Sequence, residues 1–275
     1  MRSKIVEHII RRVTPSTAIL SYNPIFRVIG NAVSDALGAP FPEFRTLPPN
    51  HLRVRVGVGN QILNNHAYFF EVGSRFWHEC FANGYVKANS DIVEIGCGCG
   101  RLAVHLNADY FSGAFLGIDI DLEMVNYCSS HFPPERFSYR LSPHKSSIYR
   151  AENGPQQESK SFVIASPESK DFIYSLSLFT HLLEQELTFY MRESFRTLRR
   201  DGIIFMTFFC LEHVDKGGRW TFAHRTGNAY VENEKYPEAA VAYTGRYMSE
   251  LARECEFRDV SILGRPGQSV LLAHK

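Results

Sequence analysis

The feature that most constrains the fold is a run of glycines that follows a short apolar segment. Residues 93–101 read Val-Glu-Ile-Gly-Cys-Gly-Cys-Gly-Arg, which places an acid before three alternating glycines. A second apolar segment, 114–119, ends in another acid, Asp119. A strand, a glycine turn and a helix, with an acid on the next strand to bind a ribose, form a nucleotide pocket. The pattern therefore predicts a nucleotide-type cofactor, with an ordinary strand-to-helix turn as the alternative.

The rest of the chain alternates between predicted strands and helices. Strands are predicted at 91–95, 114–119, 137–141, 171–176, 203–210, 260–263 and 269–273, the last two as an antiparallel pair. Helices are predicted at 68–86, 101–107, 122–131, 182–198 and 245–256. Alternation of this kind indicates an α/β fold, with a doubly wound, mostly parallel sheet of seven strands.

Two regions depart from the alternation and suggest the domain organisation. Residues 1–74 are rich in proline and short helical patterns, and are predicted to form a helical extension. Residues 75–275 form the main domain, in which 213–243 is predicted to be an irregular insertion rich in aromatic residues. Ligand sites in such sheets lie beyond the carboxyl ends of the strands. The extension is thus expected to be an acceptor lid or an oligomer contact.

The amino-acid composition indicates which binding partners and which cellular compartment to expect. The 275 residues include 30 basic and 29 acidic side chains, so the net charge is +1 and nucleic-acid binding has no strong signal. The six cysteines include no C-x-x-C pair, so no metal site is predicted, and free thiols favour a reducing, cytoplasmic location. No apolar run approaches the roughly eighteen residues of a membrane span.

The first thirteen residues carry apolar side chains at helical spacing. Ile5, Val6, Ile9, Ile10 and Val13 are flanked by Arg and Lys, without the uninterrupted apolar stretch of a signal peptide. An amphipathic helix that packs on the rest of the protein is one interpretation. A weak membrane-surface anchor or a targeting peptide are the others.

The glycine spacing indicates which cofactor is bound. Dinucleotide sites use G-x-G-x-x-G, whereas 94–100 reads E-x-G-x-G-x-G and resembles the first motif of class I S-adenosylmethionine-dependent methyltransferases. S-adenosylmethionine (SAM) has no phosphate, so its site needs no anion cradle. Residues 170–182 resemble that family's fourth-strand segment. Residues 198–202 resemble its "LKPGG" turn, although Arg200 and Asp201 replace the Pro and the first Gly.

The resemblance implies a Rossmann-like fold, SAM as the cofactor and a set of contacts. Asp119 would hold the ribose hydroxyls, Ile120 would lie against the adenine, and Ser142 or a backbone carbonyl would replace the acid that usually binds the adenine amino group. The residues around the methionine moiety would be Glu94, Gly96, Cys97, Gly98 and Gly100. Those near the transferred methyl group would be Ser175, Leu176 and Ser177.

The sequence gives less direct evidence for the catalytic base and for the methyl acceptor. His181 and His213 come just after the fourth and fifth strands and are candidate general bases, or residues that only cap and pack. The aromatic and arginine side chains of 213–243 suit a sugar or flat ring with an anionic group. They suit equally a packed loop or a homodimer contact. The resulting hypothesis is a methyltransferase that acts on oxygen of a small-molecule or saccharide acceptor.

Three other functions remain open. Methylation of RNA or protein is one, and the near-zero net charge counts mildly against RNA. A non-catalytic, SAM-binding scaffold is the second. A nicotinamide-dependent dehydrogenase is the third and weakest, because the glycine spacing is wrong for a dinucleotide.

Overall fold

The computed structural model describes residues 24–57, 65–144, 162–215 and 218–275. The chain divides into two compact units. The helical unit comprises Met1–Gly84 and Cys97–Phe111, and the sheet unit comprises Tyr85–Gly96 and Ser112–Lys275. The amphipathic segment predicted at 1–13 lies outside the described residues. The domain boundary predicted at residue 74 remains a prediction.

The sheet unit is built on a mostly parallel sheet, as the sequence predicts. Its strands are β1 (Ile92–Ile95), β2 (Phe115–Asp119), β3 (Phe137–Leu141), β4 (Lys170–Ser175), β5 (Leu198–Cys210), β6 (His224–Thr226), β7 (Ala229–Val231), β8 (Val241–Tyr243), β9 (Arg258–Leu263) and β10 (Ser269–His274). The order β3-β2-β1-β4-β5 is parallel throughout. β10 then pairs with β5 and β9 pairs with β10, both antiparallel. These seven strands are the predicted ones.

The insertion differs from the prediction. It was expected to be irregular, but β6, β7 and β8 form antiparallel pairs within it, which brings the described strands to ten. β8 also continues the main sheet, where Phe209 and Cys210 of β5 pair in parallel with Ala242 and Tyr243. Strands of only three residues are too short to show an alternation in the sequence. The insertion is therefore an extension of the sheet.

The fifth strand also begins earlier than predicted. It starts at Leu198, and a register shift between Lys170 and Phe172 of β4 accommodates the turn before residue 203. Asp201 takes a left-handed conformation with φ of 66°. Gly202 leaves no room for a side chain, since a Cβ there would lie 2.9 Å from the Arg199 carbonyl oxygen. The turn within β5 is thus made by Asp201 and Gly202.

The helices of the sheet unit are α5 (Leu122–His131), α6 (Glu184–Thr197) and α7 (Gly245–Glu254). Asp121 caps α5, where its carboxylate accepts hydrogen bonds from the backbone of Glu123 and Met124. The apolar stripes of α6 and α7 pack on one face of the sheet, with Leu187, Tyr190, Met191, Met248 and Leu251 buried. This apolar core explains why the spacing of the sequence predicted these helices well.

The helical unit contains α1 (Pro24–Gly38), α2 (Asn50–Arg53), α3 (His66–Ala82) and α4 (Ala103–Leu106). Trp77 of α3 donates its indole N–H to the Leu102 carbonyl at 2.8 Å. Around α2, however, the buried groups are polar. Arg53 is only 2% exposed, pairs with Asp35 at 3.1 Å, and donates to the side chains of Asn65 and His66. None of the helices in the described ranges is long and apolar enough to cross a bilayer.

Candidate active site

The first strand brings a carboxylate to the carboxyl edge of the sheet. Glu94 is 3% exposed and lies opposite Gly117 of β2 and Tyr174 of β4. Gly96 follows the strand with φ of 80°, and its N–H donates to the Ile118 carbonyl at 2.7 Å. A Cβ on Gly96 would lie 3.3 Å from the Leu178 side chain. Only glycine therefore combines this backbone conformation with such a close approach.

The remainder of the glycine turn belongs to the helical unit. Gly98 and Gly100 have φ of 53° and 81°. A Cβ on Gly98 would lie 2.9 Å from a methyl carbon of Val56, and the Arg101 guanidinium donates to the Val56 carbonyl at 3.4 Å. Cys97 and Cys99 are buried, and none of the six cysteines, all within the described ranges, forms a disulfide. The segment around Val56 therefore packs directly on the glycine turn, which the sequence did not predict.

The second strand presents the acid predicted to bind the ribose. Asp119 ends β2 and is partly exposed. Its Oδ1 accepts the Asp121 N–H at 2.9 Å, and its carbonyl accepts the Ser142 N–H at 2.8 Å. Ile120, the predicted adenine contact, follows and is also partly exposed. The bond from the Asp121 N–H orients the Asp119 carboxylate, and the bond to its carbonyl ties the end of β2 to Ser142.

Ser142 lies in a buried polar cluster that the sequence analysis missed. Its hydroxyl is 2.8 Å from His144 Nδ1 and 3.2 Å from the Tyr190 hydroxyl, and the last two groups are 3.1 Å apart. Burial raises the pKa of Tyr190, so its hydroxyl stays protonated and can donate. Tyr190 belongs to the apolar stripe of α6, which is why the spacing alone classed it as core. The Ser142 hydroxyl is engaged in this cluster, so a contact to adenine would use its backbone.

The residues after β4 form a second turn at the same edge. Ser175 is fully buried, and its hydroxyl has no hydrogen-bond partner among the described residues. Leu176 is partly exposed. Ser177 has φ of 63°, its N–H donates to Thr207 Oγ1 at 2.7 Å, and its hydroxyl donates to Gln268 Oε1 at 3.1 Å. Thr207 and Gln268 thus fix this turn, and no spacing rule links residues so far apart in sequence.

His181 is held in one tautomer. Its Nδ1 is 2.8 Å from the Glu238 carbonyl oxygen, which can only accept, so Nδ1 carries the hydrogen and Nε2 the lone pair of the neutral ring. Burial lowers the pKa of His181, although the hydrogen bond from the ring to Glu238 opposes the shift. A neutral imidazole in a fixed orientation at the end of β4 has the properties of a general base.

His213 lies in a different environment, beyond the end of β5. It is exposed, its Nδ1 is 2.9 Å from the Ser269 hydroxyl, and Gly264 packs against its ring. It borders a shallow cavity of about 430 Å³ together with Cys210, Glu212, Gly245, Arg246 and Ile262. Burial and the Glu212 carboxylate raise the pKa of Cys210 to about 11, so this thiol is not a nucleophile.

The aromatic side chains of the insertion pack largely on one another. Phe209, Trp220 and Phe222 lie within 6.0 Å of one another between ring centroids, and Tyr230 packs against this cluster. Three cations lie over insertion rings: Arg219 on Trp220, Arg225 on Tyr230 and Lys235 on Tyr236. The packed-loop interpretation therefore accounts for the buried rings, while Tyr236 is exposed.

Comparisons with known proteins agree with this geometry. Residues 93–206 match the family model described as a methyltransferase domain. A SAM-dependent methyltransferase from Mesorhizobium loti has 14% identity and a TM-score of 0.51, over 72% of this chain and 97% of that one. One from Methanosarcina mazei has 19% identity and a TM-score of 0.49, over 71% and 96%.

A third solved structure is 1,6-didemethyltoxoflavin-N1-methyltransferase from Burkholderia thailandensis, with 1,6-didemethyltoxoflavin and S-adenosylhomocysteine bound to that protein. It has 14% identity and a TM-score of 0.47, over 75% of this chain and 78% of that chain. At these identities the likeness concerns only the fold, and of the three only the Mesorhizobium loti protein exceeds a TM-score of 0.5.

Three structural features agree with the match to the methyltransferase domain. They are the mostly parallel sheet, the glycine turn after β1 and the acid at the end of β2. Residues 93–206 therefore form the domain of a class I SAM-dependent methyltransferase. Its cofactor is SAM, and it is an enzyme of the transferase class.

Proposed function

We propose that the carboxyl edge of the sheet binds SAM through the residues that the resemblance implies. The fit rests on three features: the buried Glu94 carboxylate, the left-handed Gly96 where a side chain would meet Leu178, and the oriented carboxylate of Asp119. Asp119 binds the ribose hydroxyls and Glu94 the methionine end. The contacts of Ile120, Ser142, Ser175, Leu176, Ser177 and of Cys97, Gly98 and Gly100 remain predictions.

When bound, SAM supplies a methyl group that its sulfonium activates for direct displacement. We propose that the acceptor is a small molecule or a saccharide, methylated on oxygen, and that His181 removes the hydroxyl proton. The observation that carries this proposal is the bond between His181 Nδ1 and the Glu238 carbonyl, because it fixes the ring orientation and puts the lone pair of the neutral ring on Nε2. The insertion's cation–aromatic pairs and exposed Tyr236 support a ring-bearing acceptor.

The acceptor class can be tested with tritiated methyl transfer into fractionated cell extract. Label in the small-molecule or glycan fraction supports the proposal. Label in RNA or in protein would establish the alternative substrate classes. Absence of label from every fraction would contradict the proposed small-molecule or saccharide acceptor.

The base can be tested with the acceptor found in this way. We expect His181→Gln to lower kcat by roughly 10²- to 10⁴-fold, the usual contribution of general-base catalysis, while SAM affinity stays unchanged. The wild-type rate should fall on acidification as His181 is protonated, and the variant should lose this limb of the pH profile. His131→Gln, on the exposed end of α5, is the control. A loss of kcat in His213→Gln without one in His181→Gln would transfer the role to His213.

Two further proposals concern the cellular location and the oligomeric state of the enzyme. The six buried thiols fit a reducing compartment, so we place the enzyme in the cytoplasm. A homodimer remains a proposal, which light scattering over a range of protein concentrations would test.

A further inference from the structure

Helix α1 presents its polar side to the protein. Ser34 is fully buried, and Asp35 accepts the Asn50 N–H at 3.0 Å while it pairs with the Arg53 guanidinium. Asn31 accepts from the Asn50 side chain at 2.9 Å. Asn31 and Asp35, one turn apart on this side of the helix, are thus tied to a polar network around Asn50 and Arg53. This fixes the rotation of α1 about its own axis.

The opposite side of α1 is a continuous apolar stripe that faces outward. Its large side chains are 40% to 68% exposed, and they are Ile25, Phe26, Val28, Ile29, Val33 and Leu37. Ala32 and Ala36, also exposed, complete the stripe, which contains no polar side chain. Single exposed apolar residues are ordinary, but a contiguous patch of this kind marks an interaction surface. In the described part of the helical unit the apolar side of α1 is largely exposed, which fits a surface that binds a partner.

The charge of the neighbouring sequence indicates the partner. The first 27 residues include five basic side chains and one acid, Glu7, and so carry a net charge of +4. The whole chain carries +1, so the remaining residues carry −3. The basic residues are Arg2, Lys4, Arg11, Arg12 and Arg27, and apolar residues at helical spacing lie among them. Positive charge beside an exposed aliphatic stripe complements an anionic lipid surface.

We infer that α1 docks this enzyme on an anionic membrane surface, with its apolar stripe in the headgroup–acyl boundary, and that the net positive charge of the sequence 1–27 attracts it to the lipid phosphates. A protein partner fits the stripe less well. Protein interfaces are enriched in Tyr, Trp and Arg at their centres and carry hydrogen bonds, whereas this stripe has one Phe and no hydrogen-bonding side chain. With 15 residues, α1 can lie in the interface but is too short to span the bilayer.

Flotation of the full-length protein with vesicles tests the inference. We expect binding to vesicles of phosphatidylcholine with about 30% phosphatidylserine, weakening with added salt, and little binding to phosphatidylcholine alone. Val28→Asp should reduce the partition coefficient by about tenfold or more, since it puts a charge in the apolar stripe. Val163→Asp, at an exposed valine outside α1, should leave binding unchanged. Circular dichroism would verify that both variants are folded.

Arg11→Glu with Arg12→Glu should lower binding and its salt dependence together. Absence of wild-type binding to the anionic vesicles would overturn the inference, as would binding that Val28→Asp does not alter. A soluble dimer that Val28→Asp dissociates, without vesicle binding, would assign the stripe to a second copy of the chain. The SAM affinity of each variant is a separate readout, so this inference and the proposed function can fail independently.

Discussion

In the sheet unit, the side chains buried along β1, β4 and β5 are nearly all apolar, whereas the helical unit combines buried apolar side chains such as Phe69 and Trp77 with a buried polar network around Arg53. The sheet unit follows the usual rule that apolar residues face inward. In α1 the rule is reversed, because Ser34 and Asp35 face inward and Val28 faces outward. The comparison teaches that amphipathicity reveals a helix but does not reveal which of its sides meets the protein.

The largest expected effect comes from removing the buried charge. We expect Arg53→Leu to destabilise the helical unit by about 3 kcal/mol, because it leaves the buried carbonyl of Pro48 and the buried side-chain oxygen of Asn65 without this donor. Urea denaturation would measure the loss. Arg45→Ala is the matched control in the same unit, since this exposed guanidinium donates only to the Ala39 carbonyl. Equal stability of the two variants would show that the helical unit does not depend on its polar core.

The second prediction concerns the sheet edge. Asp119→Ala should weaken SAM binding by about 10- to 100-fold in calorimetry, the cost of losing charge-assisted hydrogen bonds to the ribose. Asp121→Ala, two residues away, removes the cap of α5 and should lower stability by about 1 kcal/mol while SAM affinity is kept. If both variants bind SAM as the wild type does, Asp119 is not in the site.

The third prediction uses pH to probe the polar core. Burial and the adjacent Arg53 charge lower the pKa of His66 from 6.5 to about 4. Between pH 6.5 and pH 4, His66 binds a proton in the unfolded chain but stays neutral in the folded protein. Its contribution to the free energy of unfolding is therefore complete above pH 6.5 and decreases as the pH falls towards 4. We expect a loss of roughly 2 kcal/mol over this window. His66→Gln, whose amide oxygen can still accept from Arg53, should flatten the profile, and an unchanged slope would contradict the assignment.

The smallest expected effect compares two glycines. Gly98→Ala should cost about 2 kcal/mol, because φ is 53° and the new methyl group would meet Val56. Gly84→Ala, with φ of 70° and open space around it, should cost only about 1 kcal/mol. The combination of Gly98→Ala with Val56→Ala should recover the difference. No recovery in denaturation experiments would mean that Val56 does not press on the glycine turn.

Much of the sheet unit could be predicted because its signals are local. The bounds of α5 and β3 agree with the sequence prediction at both ends, since Asp121 begins the helix and Pro133 and Pro134 follow it. The strands of the insertion were missed because segments of three residues show no periodicity. At the site, Glu94, Gly96 and Asp119 came from one motif, whereas Thr207 and Gln268 contact Ser177 across 30 and 91 residues.

By itself, the sequence determined the order of strands and helices, the glycine turn, and through them the class of enzyme and its cofactor. These depend on backbone conformation and on apolar periodicity, which neighbouring residues dictate. Only the tertiary structure decided that α1 turns its apolar stripe outward and that Glu238 fixes the tautomer of His181. The physical reason is that hydrogen-bond partners and burial are set by residues distant in sequence, which meet only when the chain is folded.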